Sequence, residues 1–308
     1  MASFHIENFG CRATWADAAA IARQFSERGY ARANHSAAAD VVVLNTCTVT
    51  ADADASARQA IRRAHRANPS ARIVVTGCYA QRAPEELAAI AGVALVVGNS
   101  HITEITQQLV ETIPSVRVEK LVHIQNAQPG VAVLPGPSRE GTNAKILSGD
   151  IFARKGFAVA DAAWGDEACR TRPVLKIQDG CDQRCAYCVI PFVRGRSRSL
   201  APERVVAEVQ RLADGGAKEI VLSGINLGSY GRDLAPRADL LEVLRRILDE
   251  TPLERLRLSS IEPMDVTRDL VELFASTDRL ARHFHIPLQS GSDRVLRAMH
   301  PARASAPM

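Results

Sequence analysis

The first hundred residues alternate short apolar runs with longer stretches in which apolar residues recur at helical spacing. The apolar runs, which predict strands, lie at 4–9, 41–44, 73–76 and 94–97, and the predicted helices lie at 15–28, 53–67 and 84–90. In the first helix the side chains expected to face the sheet are Trp15, Ala18, Ile21, Ala22 and Phe25. Because this alternation is typical of a parallel sheet with crossover helices, we predict an α/β domain over residues 1–125.

The same alternation returns in the second half of the chain. Strands are predicted at 174–178, 219–223, 255–260 and 283–288, and helices at 202–213, 238–249 and 265–275. Strand–helix units in this order are typical of a (β/α) barrel, but four strands do not close one. We therefore predict an incomplete barrel domain over residues 171–308, truncated at its C-terminus. Residues 126–170 are rich in turn-forming residues and predict an irregular linker.

Composition adds only general bounds. The chain has 308 residues, of which 46% are hydrophobic and 23% charged, as in an ordinary globular protein of about two domains. No apolar run approaches the roughly 18 residues that a membrane span needs. The N-terminal residues lack the layout of a signal peptide, so we expect a cytoplasmic protein with reduced thiols. The net charge of +4 permits an anionic partner without requiring one.

The most informative motif is a triad of cysteines, Cys181, Cys185 and Cys188, which follows a predicted strand. Three thiolates can hold three irons of a four-iron cluster and leave the fourth iron open. A closed zinc site needs four ligands, and no His or other Cys lies within ten residues of the triad. Seven cysteines, an odd number, argue against a disulfide framework. An open cluster is therefore favoured over zinc and over inert core thiols.

Three more cysteines occupy equivalent positions after predicted strands. These strand-end cysteines are Cys11, Cys47 and Cys78. Because the carboxyl ends of parallel strands meet at one edge of a sheet, we expect them to converge there. Each precedes a predicted helix, whose N-terminus favours negative charge. A lone cysteine is usually a small buried hydrophobe, but three at three strand ends predict a second open cluster. The seventh, Cys169, lies in the linker and is interpreted as a spare thiol.

These cysteines stand in segments that resemble the radical S-adenosylmethionine methylthiotransferases. The segments are 45–50 (NTCTVT), 76–81 (TGCYAQ), 181–188 (CDQRCAYC), 194–199 (RGRSRS), 258–263 (LSSIEP) and 285–292 (HIPLQSGS). The threonine-rich form of 45–50 is similar to the branch that modifies N6-threonylcarbamoyladenosine beside the tRNA anticodon. Other branches act on isopentenyladenosine in tRNA or on an aspartate of a ribosomal protein. The resemblance implies an enzyme that adds a methylthio group to C2 of the adenine.

The resemblance also implies cofactors and the residues that bind them. The triad would hold the four-iron cluster that binds S-adenosyl-L-methionine, and the strand-end cysteines would hold an auxiliary four-iron cluster that carries the sulfur. Radical cleavage of S-adenosyl-L-methionine would supply the means to break an unactivated C–H bond. The other residues implied to bind this cofactor are Tyr187, Ser223, Gly224, Asn226, Glu262, Gln289 and Ser290.

Three arginines alternate along the segment that follows the triad. In an extended chain Arg194, Arg196 and Arg198 would project to one side, which predicts contact with RNA phosphate or a flipped base. The partners that the resemblance implies are a tRNA anticodon stem-loop and an electron donor such as flavodoxin or ferredoxin. It implies neither DNA nor a membrane as a partner.

Two departures from the family pattern keep alternatives open. The similarity fades after Met299, and residues 13–17 differ from the asparagine and acidic residue that the family often has after the first cysteine. We therefore expect a fragment or a shortened gene product. The alternatives are the same chemistry on isopentenyladenosine or a ribosomal aspartate, an inactive cluster-binding fragment, and a zinc-binding nucleic-acid module.

Metal content separates the cluster hypothesis from the zinc hypothesis. After anaerobic reconstitution with iron and sulfide, we expect a brown protein with about eight irons per chain, because two four-iron clusters are predicted. Elemental analysis and the visible absorption spectrum measure this. A colourless protein that contains zinc and no iron would contradict the prediction.

Overall fold

Six parallel strands form the sheet of the N-terminal half of the molecule. The computed structural model describes residues 1–111, 144–154 and 172–299. The strands are β1 (Ser3–Asn8), β2 (Ala31–Arg32), β3 (Val41–Thr46), β4 (Arg72–Gly77), β5 (Val93–Gly98) and β6 (Lys145–Leu147). Their order across the sheet is β2-β1-β3-β4-β5-β6. Every residue of β3 is buried, as expected of a central strand covered on both faces.

Helices cover both faces of this sheet. They are α1 (Arg12–Glu27), α2 (Ala51–Ala67), α3 (Cys78–Arg82), α4 (Pro84–Ala88) and α5 (Ile105–Glu111). In α1, Ile21 and Phe25 are buried as predicted, but Trp15 is 37% exposed, so its predicted packing against the sheet is wrong. From Ile21 the buried face instead continues towards the N-terminus through Asp17 and Ala13, at successive spacings of four residues.

The predicted linker contains a strand. Lys145, Ile146 and Leu147 form β6 and pair in parallel with Leu95, Val96 and Val97 of β5. The prediction of irregular structure is therefore wrong for these residues, because a run of three was too short to show a period. Cys169 and the turn-rich stretches of the linker lie outside the described residues.

A second parallel sheet builds the C-terminal half. Its strands are β7 (Val174–Lys176), β10 (Glu219–Ser223) and β11 (Arg255–Leu258), in the order β11-β10-β7, and β8 (Gln178–Asp179) pairs with β9 (Arg198–Ser199) beside them. The helices are α6 (Ile190–Arg194), α7 (Pro202–Asp214), α8 (Leu240–Glu250), α9 (Arg268–Ser276) and α10 (Asp293–Met299). The predicted α/β class, with a parallel sheet before barrel-like strand–helix units, is confirmed.

The strand predicted at 283–288 does not form. Only isolated bridges, Leu256 with Leu280 and Ser260 with His285, connect this region to β11. Pro287 has no N–H to donate to a neighbouring strand, and Leu288 is 66% exposed. The apolar run therefore predicted burial that this segment does not have. Within the described ranges, no helix is both long and apolar enough to cross a membrane.

Gly77 permits a close approach between β3 and β4 just before Cys78. Its φ is +99°, and a Cβ there would lie 2.3 Å from the carbonyl oxygen of Thr46. Gly29 has a φ of +77° with no atom within 4 Å of an added Cβ, so it is a matched control. We expect Gly77→Ala to lower the free energy of unfolding by about 3 kcal/mol or more, from strain and clash together. Gly29→Ala should cost only about 1 kcal/mol, from strain alone.

Urea unfolding of the full-length variants, followed by circular dichroism, measures both losses. Equal losses in the two variants would contradict the close approach at Gly77.

Candidate functional site

The sheet brings the three strand-end cysteines to one edge. Cys47 directly follows β3 and Cys78 directly follows β4, and the last paired residues of these strands, Thr46 and Gly77, lie opposite each other. The chain before Cys11 passes against Cys47, since a Cβ on Gly10 would lie 2.8 Å from the Cβ of Cys47. The three thiols therefore lie on neighbouring strand ends of β1, β3 and β4, as the parallel topology requires.

The surroundings of these thiols differ. Cys78 and Cys47 are 2% and 7% exposed, whereas Cys11 is exposed at the start of α1. Burial raises the pKa of the Cys78 thiol, and the nearby Arg194 cation opposes that rise. The side-chain amide of Asn99 also donates a hydrogen bond to the Cys78 sulfur at 3.5 Å. A cation and an N–H donor near a buried sulfur both favour its thiolate form.

Asn45 holds the strand ends that carry the cysteines. Its buried side-chain amide donates to Oδ1 of Asn8, at the end of β1, and to the backbone carbonyl of Thr14, in α1, each at 2.8 Å. The Thr14 hydroxyl in turn donates to the carbonyl of Cys11 at 2.7 Å. The asparagine therefore fixes the loop of Cys11 relative to β3 and Cys47. Its place two residues before Cys47 was the only sequence signal for this role.

The triad occupies a loop with N–H groups directed at sulfur. The backbone N–H of Cys181 donates to the carbonyl of Gly195 at 3.0 Å, and that of Cys188 donates to the backbone carbonyl of Cys185 at 3.0 Å. Burial raises the pKa of the Cys181 thiol, while hydrogen bonds from the Gln183 N–H and the Asn226 side chain lower it. All three cysteines are only partly exposed. Donors of this kind stabilise anionic sulfur in a cluster site.

Three residues predicted to bind S-adenosyl-L-methionine follow or end β10. Ser223 is buried at the end of β10, and Gly224 follows it against the side chain of Gln178. Asn226 is 7% exposed, and its N–H donates to Oε1 of Gln178 at 2.8 Å. Through its side chain Asn226 also contacts Cys181, so these residues adjoin the triad.

The remaining residues predicted to bind that cofactor are more dispersed. Tyr187 is 55% exposed and lines a largely apolar cavity of about 360 Å³ with residues of α10. Glu262 lies just beyond β11. Gln289 and Ser290 follow the bridge to β11, and Gln289 has a φ of 64°. Tyr187 and the β10 end thus lie beside the triad, while Gln289 and Ser290 lie one strand position beyond β11.

The three arginines do not project to one side. Arg194 is the last residue of α6, so the segment is not extended there, and Arg194 and Arg198 are 2% and 8% exposed. Arg196 alone is exposed. The predicted row of RNA-facing arginines is therefore wrong as a shared surface, because two of its members turn inward to pair with carboxylates.

A buried cluster of charges joins the two halves of the molecule. Arg194 donates to Oδ2 of Asp17 at 2.9 Å and to Oδ1 of Asp179 at 3.0 Å, and Lys176 contacts the same two carboxylates. Burial alone would raise the pKa of Asp179, but the Lys176, Arg194 and Arg198 cations outweigh it and hold that pKa well below its ordinary value. Sequence analysis missed this cluster, because the predicted buried face of α1 did not include Asp17.

Each three-cysteine set has a hydrogen-bond donor against one of its sulfurs. Within the described ranges, no three His, Cys, Asp or Glu side chains are close enough to hold one ion. A four-iron cluster places each thiolate on a different iron, so its ligands stand farther apart than those of one zinc ion. Donors of this kind stabilise the thiolate form that such ligands need.

Sequence profiles of two families match this chain. Residues 3–98 match the family described as uncharacterized protein family UPF0004, and residues 175–306 match the radical SAM superfamily. The two matches contain the strand-end cysteines and the triad, respectively.

Curated relatives match almost the whole chain. The threonylcarbamoyladenosine tRNA methylthiotransferases MtaB of Aquifex aeolicus and Bacillus subtilis are each 39% identical, over 95% and 97% of this chain. A tRNA-2-methylthio-N(6)-dimethylallyladenosine synthase of Syntrophobacter fumaroxidans is 35% identical over 96% of it. The chain spans 64%, 60% and 60% of these relatives, respectively.

A solved structure shares the fold. The radical S-adenosylmethionine methyltransferase TsrM of Kitasatospora setae has a TM-score of 0.60 and 16% sequence identity, over 93% of this chain and 59% of TsrM. At this identity the likeness concerns the fold alone.

Alkylation of the metal-free chain tests the burial of the strand-end cysteines. We expect iodoacetamide to modify Cys11 at least about tenfold faster than Cys78, because the Cys78 thiol is buried and its pKa is raised. Peptide mass spectrometry over a time course measures both rates, and labelling in urea is the control that should equalise them. Equal rates in the folded chain would contradict this arrangement.

Proposed function

We propose that the chain is a member of the radical S-adenosylmethionine methylthiotransferase family and that it adds a methylthio group to C2 of N6-threonylcarbamoyladenosine in tRNA. The observation that carries the proposal is the pairing of two three-cysteine sets in one molecule, one at the edge of the N-terminal sheet and one at the start of the barrel. A zinc-binding module would need neither the second set nor the barrel-like half.

We propose that the triad holds the four-iron cluster that binds S-adenosyl-L-methionine and that the strand-end cysteines hold the auxiliary one. When bound, these groups supply radical C–H cleavage and the sulfur that is transferred. The protein supplies position and charge. Asn226 and the N–H of Gln183 donate to Cys181, and Asn99 donates to Cys78, so each set has a donor that stabilises thiolate.

The residues proposed to hold S-adenosyl-L-methionine are those nearest the triad. Tyr187 presents an exposed ring beside an apolar cavity, which suits stacking against an adenine. Ser223, Gly224 and Asn226 offer polar groups at the carboxyl end of a parallel strand, where ligands of such folds bind. We keep Glu262, Gln289 and Ser290 as further proposed contacts. For the RNA, Arg196 is the arginine of its segment that is open to solvent.

The threonylcarbamoyl acceptor is supported by the residues around Cys47 and by the relatives. The MtaB proteins are 39% identical to this chain, and the dimethylallyladenosine synthase is 35% identical. Because these values are close, methylthiolation of an isopentenyl-type adenosine is the second candidate. We further propose the tRNA anticodon stem-loop and a flavodoxin- or ferredoxin-like electron donor as partners, and the cytoplasm as the location. The proposed domains are residues 1–125 and 171–308.

Two cysteine substitutions separate the proposed roles of the two sets. The reconstituted full chain is incubated anaerobically with S-adenosyl-L-methionine, dithionite and an anticodon stem-loop that carries threonylcarbamoyladenosine. We expect Cys185→Ala to abolish 5′-deoxyadenosine formation. We expect Cys47→Ala to keep 5′-deoxyadenosine formation but to abolish the methylthio nucleoside, because only the auxiliary site is lost. Chromatography with mass spectrometry measures both products.

The matched substrate control is the same stem-loop with isopentenyladenosine, which should give less than a tenth of the product. Methylthio product from Cys47→Ala would contradict the assignment of the strand-end cysteines. Absence of 5′-deoxyadenosine from the parent chain would contradict the proposed activity.

A further inference from the structure

Arg194 lies between the two cysteine sets. It ends α6, which follows the triad along the chain, and its side chain is 2% exposed. Although burial opposes it, the charges of Cys78, Asp17 and Asp179 raise the pKa of Arg194 well above its ordinary value. The charge of Cys11 acts on it in the same direction. The guanidinium is therefore within electrostatic reach of two strand-end cysteines, although it belongs to the barrel half.

Hydrogen bonds connect the backbone around Arg194 to both sets. The side-chain amide of Asn99 donates to the carbonyl of Val193 at 2.8 Å and to the Cys78 sulfur at 3.5 Å. On the other side, the carbonyl of Gly195 accepts from the N–H of Cys181 at 3.0 Å. The neighbours of Arg194 along the chain thus contact one cysteine of each set, and a shift of this segment would move both.

The buried charges around Arg194 do not cancel. Asp17 and Asp179 are the two carboxylates, while Lys176, Arg194 and Arg198 are the cations in contact with them. Among these ion pairs, three cations meet two carboxylates, so the pairs carry one positive charge in excess. Burying an uncompensated charge is costly unless an anion lies nearby.

The Nε of Arg194 also indicates that an anion binds nearby. The Nε of Arg194 is buried and has no hydrogen-bond partner among the described residues. A four-iron cluster held by three thiolates is such an anion, and it becomes more negative on reduction. Arg194, which carries this unused donor, lies near enough to the buried Cys78 for its charge to act on that thiol.

We infer that Arg194 is a positioning residue for the auxiliary site: its guanidinium clamps Asp17 to Asp179 across the two halves, and its charge stabilises the reduced cluster held by the strand-end cysteines. This inference rests on the proposed function. Asp17 acts with the opposite sign, because its carboxylate lies near the same thiol. A side chain that only held the two halves together would not shift the reduction potential of the auxiliary cluster in a direction set by its charge.

The test measures the reduction potential of the auxiliary cluster in the full chain. The substitutions C181A, C185A and C188A are introduced together so that only the strand-end cysteines bind iron. Dithionite in the presence of redox mediators supplies one electron per cluster, and electron paramagnetic resonance follows the reduced form. Potentials are then compared among charge variants in this background.

Removing the charge of Arg194 and removing the charge of Asp17 should shift the reduction potential of the auxiliary cluster in opposite directions. Arg194→Met should lower the ratio of reduced to oxidised cluster at least tenfold at a fixed potential, a shift of about 59 mV to more negative values. Asp17→Asn, which is nearly isosteric, should shift the potential in the positive direction. Arg194→Lys keeps the positive charge. Its ratio of reduced to oxidised cluster should therefore stay within about twofold of the parent's ratio.

The matched control is Arg196→Met, which removes the same charge from an exposed side chain two residues away. Its effect should stay below about twofold, because solvent screens that charge. If Arg194→Met does not fold, Asp17→Asn still decides the question, because it is nearly isosteric and the inference requires a positive shift of the potential.

The outcomes distinguish this inference from the proposed function. A chain that binds about four irons, with a potential that neither Arg194→Met nor Asp17→Asn moves, would overturn the inference alone. Shifts of the same sign in both variants would also overturn it. A background chain that binds no iron at the strand-end cysteines would overturn both the inference and the proposed function.

Discussion

The contact on which this molecule depends is the buried ion cluster of Asp17, Lys176, Asp179 and Arg194. It contains the side chains that pair a helix of the N-terminal sheet with a strand and a helix of the barrel half. Burying these charges is costly, and the network offsets this cost only because each carboxylate meets at least two cations. The network is therefore stable only in one fixed geometry. Such a contact suits two sites that must be held at a fixed separation. An apolar interface of the same size would tolerate sliding that this network does not.

The two cysteine sets are built by different means. The strand-end cysteines come from three separate strands and meet because parallel topology places the ends of β1, β3 and β4 side by side. The triad comes from one loop, where sequence spacing alone keeps the sulfurs together. The first site therefore depends on the whole sheet, including Asn45 and Gly77. The second depends on local backbone packing, since a Cβ on Gly180 would lie 2.0 Å from the carbonyl oxygen of Arg196.

Much of this arrangement could be predicted from the sequence. Strong apolar runs gave β3, β4 and β5 because a central parallel strand is apolar on both faces. Cys11, Cys47 and Cys78 could be grouped because strand order follows from βαβ connections. Burial could not be predicted where it depends on partners distant in sequence. Arginines such as Arg194 are usually exposed, and only the carboxylates of Asp17 and Asp179 explain its burial. The short strand β6 was not predicted, and the exposed segment around Leu288 was wrongly predicted to be a strand. In both places the local pattern does not show which residues pack against the segment.

We propose that six cysteines form two separate cluster sites on either side of Arg194. Crystals of the anaerobically reconstituted full chain, with diffraction data collected at the iron absorption edge, test it most directly. We expect two separate groups of iron, one against Cys11, Cys47 and Cys78 and one against the triad, with the Arg194 guanidinium between them. A single group of iron, or iron at the triad alone with the strand-end thiols free, would contradict it.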